Sequence, residues 1–358
     1  MFIVNNRRTS VVSNATESVD FSENARTGPY LEGNLKLIGT LDCNTDVMCC
    51  RFSPDGQHLA VGLIDGSVKI YSPSTYQCLY SLQDTDTQKK HLPVTQIRFR
   101  LYSSDEKPEY SHILIASYAS GLVKFWHYTS GKCLHTINEV RQTLNLALSP
   151  DGSRFLTTGD SPQIHVYDED TKKRINTLEP SDSRDKMDGH HFRVFAAQYH
   201  PNFPHVFISG GWDNTVHFWD DRQKQSIRLI SGPHICGEAL DIDPIHNHIL
   251  TGSWRKTDVL QIWDFASAEK IKDVPPEPMN DSLLYCCQWL GKENIICGGS
   301  DMNMARVIDR GTLNTTGHLC ELPQGVYCID NDGHGNSPLV AIGSSNNIYL
   351  VRSEKKIS

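Results

Sequence analysis

The sequence predicts an all-β fold, a seven-bladed β-propeller of four-stranded antiparallel blades that is closed by an N-terminal strand pairing with the last blade. Similar strand ends recur at intervals of about 40–55 residues, with four strand-like runs in each unit. The recurring positions are Tyr71, Trp126, Tyr167, Trp219, Trp263, Val307 and Val351. Only 38% of the residues are apolar, whereas 25 are Gly and 17 are Pro, which suits many short strands joined by tight turns.

The strands are assigned in chain order. Blade one is predicted at Val47 to Pro54, His58 to Ile64, Ser67 to Ser72 and Gln77 to Leu82. Blade two is predicted at Thr95 to Arg100, Ile113 to Ser117 and Leu122 to Tyr128, and blade three at Leu144 to Pro150, Arg154 to Thr158 and Ile164 to Asp168. Blades four to seven centre on Phe218, Ile262, Val307 and Tyr349.

The last unit ends with its third strand and lacks a fourth. Leu35 to Leu41, LKLIGTL, precedes the first unit without a partner there, so we expect it to complete blade seven and remove an exposed sheet edge. The predicted domains are therefore a flexible polar tail at 1–33 and one propeller at 34–354. The tail contains Arg7-Arg8-Thr9-Ser10, a pattern typical of basophilic kinase sites but also of an unmodified solvated tail.

The clearest unit runs from Asp188 to Arg222, with Gly189-His190 near its start and Trp219-Asp220 near its end. This unit resembles the WD40 repeat, and degraded copies of it extend over most of the chain. The resemblance implies that His190, Ser209, Asp213 and Trp219 form a buried hydrogen-bond network. We interpret that network as a structural lock of the blade and not as a catalytic set, because a half-satisfied buried network is unfavourable.

Catalytic motifs are missing from the sequence, which has no HExxH spacing, no GxSxG elbow and no Gly-rich phosphate loop after a strand. Asp241 and Asp243 are two apart in one strand, and we interpret them as turn and edge solvation. The eleven cysteines include no CxxC pair. One member each of Cys49-Cys50 and Cys286-Cys287 is expected to point inward as small apolar filler. We therefore predict no enzyme, catalytic residue, metal or cofactor.

Function in the resembled family is read from the top face, built from the loops that enter each blade and the turns between second and third strands. Trp212 and Trp254 precede the turn Asp slot on neighbouring blades. The predicted partner-binding residues are His191, Arg193, Trp212, Trp254, Arg255 and Lys256. Aromatic and Arg side chains are typical of contact cores, although a Trp in this slot also simply covers the blade. The leading prediction is a non-catalytic scaffold for other proteins or peptides, as a monomeric propeller within a complex.

The alternative is a peptide reader or a substrate receptor of a cullin-type ubiquitin ligase. Asp213, Trp219, Asp220 and Arg222 resemble the WDxR box, in which Asp220 and an exposed Arg222 would contact the ligase adaptor. A net charge of −8 argues against nucleic acid as the main partner. The apolar run MFIV is too short for a secretory signal or a membrane span, so the expected location is the cytoplasm or the nucleus.

Overall fold

The computed structural model describes residues 28–101, 112–183, 185–277 and 282–354, and these form seven antiparallel sheets. The innermost strands contact one another in cyclic order, so the sheets close into a ring around a central channel. The predicted seven-bladed propeller is therefore confirmed. No helix in these four ranges is long and apolar enough to cross a membrane.

The blades follow one another along the chain, each running from the channel outwards. Blade one contains Val47–Phe52, Leu59–Leu63, Val68–Tyr71 and Cys78–Leu82. Blade two contains Val94–Phe99, Ile113–Tyr118, Leu122–His127 and Lys132–Asn138. Blade three contains Thr143–Leu148, Arg154–Gly159, Ile164–Asp168 and Arg174–Leu178. A short helix, Thr85–Lys90, lies in the connection between blades one and two.

The remaining blades repeat this order. Blade four contains Val194–Tyr199, Val206–Gly211, Thr215–Asp220 and Arg228–Ser231. Blade five contains Leu240–Asp243, His248–Gly252, Leu260–Asp264 and Lys270–Asp273. Blade six contains Leu283–Leu290, Asn294–Ser300, Ala305–Asp309 and Thr315–Cys320. Blade seven contains Val326–Asn331, Val340–Ser344 and Asn347–Ser353.

The fourth strand of blade seven comes from the start of the propeller. Leu35–Asp42 pairs antiparallel with Asn347–Ser353, in a register that runs from Leu35 opposite Ser353 to Asp42 opposite Asn347. This is the strand that the sequence assigned to that place. The pairing joins the two ends of the ring through backbone hydrogen bonds and covers the edge of the last blade.

The boundary predicted between tail and propeller needs correction. Tyr30–Gly33 pairs with Thr315–Cys320 as a fifth strand of blade six, so residues 30–33 already belong to the fold. Gly33 ends this strand at a φ of +74°, and a Cβ there would lie 2.2 Å from the carbonyl oxygen of Thr316. Only glycine allows this close approach. Arg7-Arg8-Thr9-Ser10 lies outside the described residues.

Both members of each cysteine pair are buried, so the prediction that only one would point inward was wrong. Cys49 packs in the cluster shared with blade two and Cys50 in the cluster shared with blade seven. Cys286 and Cys287 divide in the same way between blades seven and five. An innermost strand of a propeller is covered on both faces by neighbouring blades, and alternation therefore buries both side chains.

Most innermost strands carry a β-bulge at their upper end, beside the face formed by the loops between blades. In six of the seven blades, the pairing between the innermost and second strands shifts by one residue directly after the first buried position of the innermost strand. The residues left out of register are Met48, Thr95, Leu144, Phe195, Tyr285 and Tyr327. Bulges re-aim side chains, and these six surround the upper mouth of the channel while remaining partly exposed.

Candidate functional site: the top face

Blade four contains a continuous buried hydrogen-bond chain through the four residues that the WD40 resemblance singled out. His190 Nδ1 lies 2.7 Å from Asp213 Oδ2, and His190 Nε2 lies 2.7 Å from Ser209 Oγ. The indole of Trp219 donates to the same Ser209 Oγ at 2.7 Å. Asp213 also accepts from the Thr215 hydroxyl, and these donors hold the pKa of its carboxyl well below the usual range. Each side chain of this four-residue network therefore has a hydrogen-bond partner inside the blade.

Blade three fills the corresponding slots with different chemistry. Glu139 lies four residues before the innermost strand, as His190 does in blade four, and it is buried. Its carboxylate accepts hydrogen bonds from donors on all sides. These donors are Thr143 Oγ1 at 2.7 Å, Thr157 Oγ1 at 2.6 Å, His165 Nδ1 at 2.8 Å, Tyr167 Oη at 2.6 Å and Arg141 Nε at 3.3 Å. The donors lower the pKa of Glu139 strongly despite its burial.

Trp212 and Trp254 lie on the top face, in the turns between the second and third strands of blades four and five. They are 43% and 39% exposed. Trp212 donates its indole N–H to Cys236 Sγ at 3.1 Å, and the ring of Phe195 lies 5.4 Å from its own. The backbone N–H of Trp254 donates to the His234 carbonyl at 2.9 Å, which ties the blade-five turn to the loop between blades four and five.

A row of rings extends along the top face from blade four to blade seven, and a backbone hydrogen bond replaces the ring contact between His234 and Trp254. We name it the aromatic arc and define it as Phe195, Trp212, His234, Trp254, Tyr285 and Tyr327. Ring centroids are 6.4 Å apart for Trp212 and His234, 6.3 Å for Trp254 and Tyr285, and 5.1 Å for Tyr285 and Tyr327. Sequence reasoning missed four of the six members. Three of these occupy the bulge slot, which is visible in the sequence as the residue after the first buried position of an innermost strand.

The predicted basic residues flank the arc at blades four and five. The Arg193 guanidinium lies 5.3 Å from the Trp212 ring, which is within cation–π range. Arg255 donates to the Gly232 carbonyl at 2.7 Å and faces Asp258, whereas Lys256 is exposed. His191 is exposed and its backbone N–H donates to Asp213 at 3.1 Å. All six predicted partner-binding residues therefore lie in the top-face loops of two adjacent blades.

The channel below the arc is crossed by an ionic network that sequence reasoning did not identify. Glu238, from the loop between blades four and five, reaches across to Arg51 and accepts from Arg98 at 2.7 Å. Arg51 also donates to Asp330 at 2.8 Å. The two guanidinium groups lower the pKa of Glu238 to about 2. These contacts connect blades one, two, five and seven and fill the channel with paired charges.

Asp241 and Asp243 have different surroundings although they share one strand. Asp241 faces the channel and accepts the Trp289 backbone N–H at 2.9 Å, and burial raises its pKa to about 7. Asp243 points to the bottom of blade five, where it pairs with Arg310 at 2.5 Å and its pKa is lowered. The interpretation as edge solvation is therefore wrong for Asp241, which links blade five to blade six through this hydrogen bond.

Arg222 and Asp220 lie at the opposite, bottom end of blade four. Arg222 Nε donates to Asp220 Oδ1 at 2.8 Å and Nη2 to Oδ2 at 2.6 Å. The Arg222 side chain is 64% exposed. Asp213 and Trp219 belong to the buried network of the same blade, so the residues that match the WDxR box divide between an internal lock and one surface pair.

Two groups of potential metal ligands lie close together within the described ranges. They are His190, Asp213 and His217 in one group and His205, Asp220 and Asp221 in the other. In the first, both nitrogens of His190 are already hydrogen-bonded. In the second, Asp221 is paired with Arg154 at 2.9 Å. Protein partners thus engage both nitrogens of His190 and the carboxylates of Asp213, Asp220 and Asp221, whereas the buried Nε2 of His217 has no hydrogen-bond partner among the described residues.

Comparisons with known proteins agree with this architecture. The family described as "WD domain, G-beta repeat" matches residues 35–72 and 181–220. Cleavage stimulation factor subunit 50 of Arabidopsis thaliana is 25% identical over 247 residues, covering 63% of this chain and 52% of that protein. Target of rapamycin complex subunit wat1 of Schizosaccharomyces pombe is 29% identical over 171 residues, covering 48% and 51%. Ribosome biogenesis protein YTM1 of Scheffersomyces stipitis is 31% identical over 109 residues, covering 30% and 22%.

The matched part of the chain spans about half or less of these relatives. The closed ring of blades and the locked blade four are features of a WD40-type propeller. The chain belongs to the WD40-repeat family.

Proposed function

We propose that this protein is a non-catalytic scaffold that binds protein partners through its top face, with the aromatic arc as the centre of the docking surface. Two relatives are described as subunits, one of cleavage stimulation factor and one of a target of rapamycin complex. The observation that carries the proposal is the aromatic arc itself. Its Trp212, Trp254 and Tyr327 rings are exposed at the surface, although the protein core does not need them there.

The energetics of association favour this surface. Trp, Tyr and Arg dominate the binding energy of protein interfaces, especially when they lie at the centre of a contact. Trp212 and Trp254 keep about two fifths of their surface exposed, and contact with a partner would remove that area from water. Neighbouring rings hold both indoles, and the Cys236 contact holds that of Trp212, so ordering these side chains on binding would cost little entropy.

Affinity purification from the native cell tests the proposal. We expect a Trp212→Ala, Trp254→Ala, Arg255→Ala triple variant to lose the partners that the wild type retains, with little change in thermal unfolding. The matched control is Phe203→Ala with Ile245→Ala, which removes two exposed apolar side chains from the bottom face. Equal recovery of partners by the triple variant and the wild type would contradict the proposal.

The number of partners lost separates a scaffold from a reader. If Trp254→Ala alone removes several unrelated partners, the top face serves as a general scaffold. If it removes a single partner, the protein is a reader of one peptide.

A second candidate function is substrate reception for a cullin-type ubiquitin ligase. The supporting observation is that Arg222 is held by Asp220 in a fixed orientation at the surface. A purification that recovers the ligase adaptor with wild type and not with Arg222→Ala would support this function. Recovery of no adaptor, or equal recovery by both proteins, would exclude it.

A further inference from the structure

The aromatic arc has unneutralised positive charge at its blade-four and blade-five end. Arg193 and Lys256 both stand beside exposed tryptophans, and within the described ranges neither forms a salt bridge with a carboxylate. Since Arg193 is held over the Trp212 ring, its charge is presented at the same place as the apolar surface.

The carboxylates of the same turns are already engaged. Asp213 is buried within the blade-four lock, where it accepts from His190, His191 and Thr215. Asp258 is occupied by Arg255 at 3.8 Å. Neither acid therefore cancels the charges of Arg193 and Lys256.

The other end of the arc has the opposite character. Tyr285 and Tyr327 lie beside the turns 301–304, 321–325 and 344–346, which contain Asp301 and Glu321 and no Lys or Arg. The pKa of Tyr327 is raised, first by burial and then by Tyr285 and Asp46, so negative charge also reaches this ring. The arc is thus polarised from a basic end at blades four and five to an acidic end at blades six and seven.

Given the proposed docking role of the arc, on which this step rests, we infer that it selects a partner segment in which acidic side chains stand next to aromatic or aliphatic ones. The acidic side chains bind over blades four and five, beside Arg193 and Lys256. A protein with a net charge of −8 repels an acidic segment over most of its surface, so the basic end of the arc is where such a segment gains attraction. The rings of the arc supply the apolar contact.

Selection of random peptides displayed on phage against the full chain tests this inference. We expect the enriched peptides to be net acidic, to contain aromatic or large aliphatic residues, and to lose binding as salt is raised. An Arg193→Glu, Lys256→Glu double variant should bind a selected peptide about tenfold or more weakly. The matched control, Lys292→Glu, reverses an exposed charge in a turn of the bottom face and should change the affinity less than about twofold.

The outcomes separate this inference from the docking role. Peptides that require Trp212 or Trp254 but are neutral or basic, or that bind the double variant unchanged, overturn the acidic specificity and leave the docking role standing. Peptides that bind Trp212→Ala and Trp254→Ala as well as the wild type contradict the docking role, as does a selection that enriches no peptide.

Discussion

Blades three and four are locked by networks that occupy the same positions with opposite chemistry. In blade four a histidine stands at the centre, linking the carboxylate of Asp213 to the hydroxyl of Ser209. In blade three the central residue is itself a carboxylate, Glu139, and the groups around it are donors. Both arrangements give every central group of the network a hydrogen-bond partner, so the positions matter more than the residue types that fill them.

The comparison also explains why the WD40 repeat is recognisable in the sequence of blade four and not in that of blade three. Blade four keeps the residues of the family pattern and lies in a matched segment, whereas blade three lies outside both matched segments. Its tyrosine in the tryptophan slot, Tyr167, uses a hydroxyl to reach Glu139 at 2.6 Å. Substitutions in either network are therefore expected to affect stability and not ligand binding, since both lie beneath the surface.

The largest effect is expected from Glu139→Ala. The change leaves the hydroxyls of Thr143, Thr157 and Tyr167 and the Arg141 charge without their shared acceptor, and it should lower the free energy of unfolding by about 3–5 kcal/mol. Urea unfolding measures this value. Glu139→Gln is the matched control for charge, because it keeps the shape. A loss of less than about 1 kcal/mol for the alanine variant would show that blade three does not depend on this network.

Asp213→Ala should have the next largest effect, about 2–3 kcal/mol, because it removes the acceptor that holds His190. Changing Asp65 or Asp160 to alanine should have a smaller effect. Within the described part of the chain, Asp65 bonds only to Ser67 of its own turn, and Asp160 accepts one backbone N–H, from Gln142 at 3.2 Å. Equal shifts in melting temperature for all three variants would refute this ranking.

Acid should weaken both locks. The folded-state pKa values of Glu139 and Asp213 lie below their unfolded values, so their contribution to stability is complete above about pH 5 and is lost as the pH falls through the unfolded and then the folded pKa. We expect the wild type to lose about 2 kcal/mol or more between about pH 5 and about pH 3. Urea unfolding as a function of pH measures this slope. It should be shallower in Glu139→Gln, and an unchanged slope would mean that Glu139 is not ionised in the native protein.

The smallest effects are expected from single donors. Tyr167→Phe removes one hydrogen bond to Glu139, and Trp219→Phe removes the indole bond to Ser209, together with some packing volume. Each should lower the free energy of unfolding by about 1–2 kcal/mol, with the tryptophan variant at the upper end because of the lost volume. Thermal unfolding of the two variants side by side checks the order. A tyrosine variant more stable than the wild type would indicate that its hydroxyl is not an essential donor.

The sequence predicted the ring of blades, because alternation and turn residues repeat along the chain. It also predicted the strand that closes blade seven, since Leu35 to Leu41 had no other partner. It did not reveal Glu139, which replaces the family's histidine, or the Glu238 network, whose members are far apart in the chain and meet only in the channel. Tyr30–Gly33 was missed because its pairing depends on the close approach of Gly33 to a distant strand.

The proposed docking role of the top face is tested most directly by cross-linking mass spectrometry of the protein isolated together with its partners from native cells. Lys256 lies beside Trp254 on the top face, whereas Lys292 lies in a turn of the bottom face, and both are exposed. We predict cross-links from partner proteins to Lys256 and few or none to Lys292. Partner cross-links confined to Lys292, with Lys256 unmodified by any partner, would contradict the account.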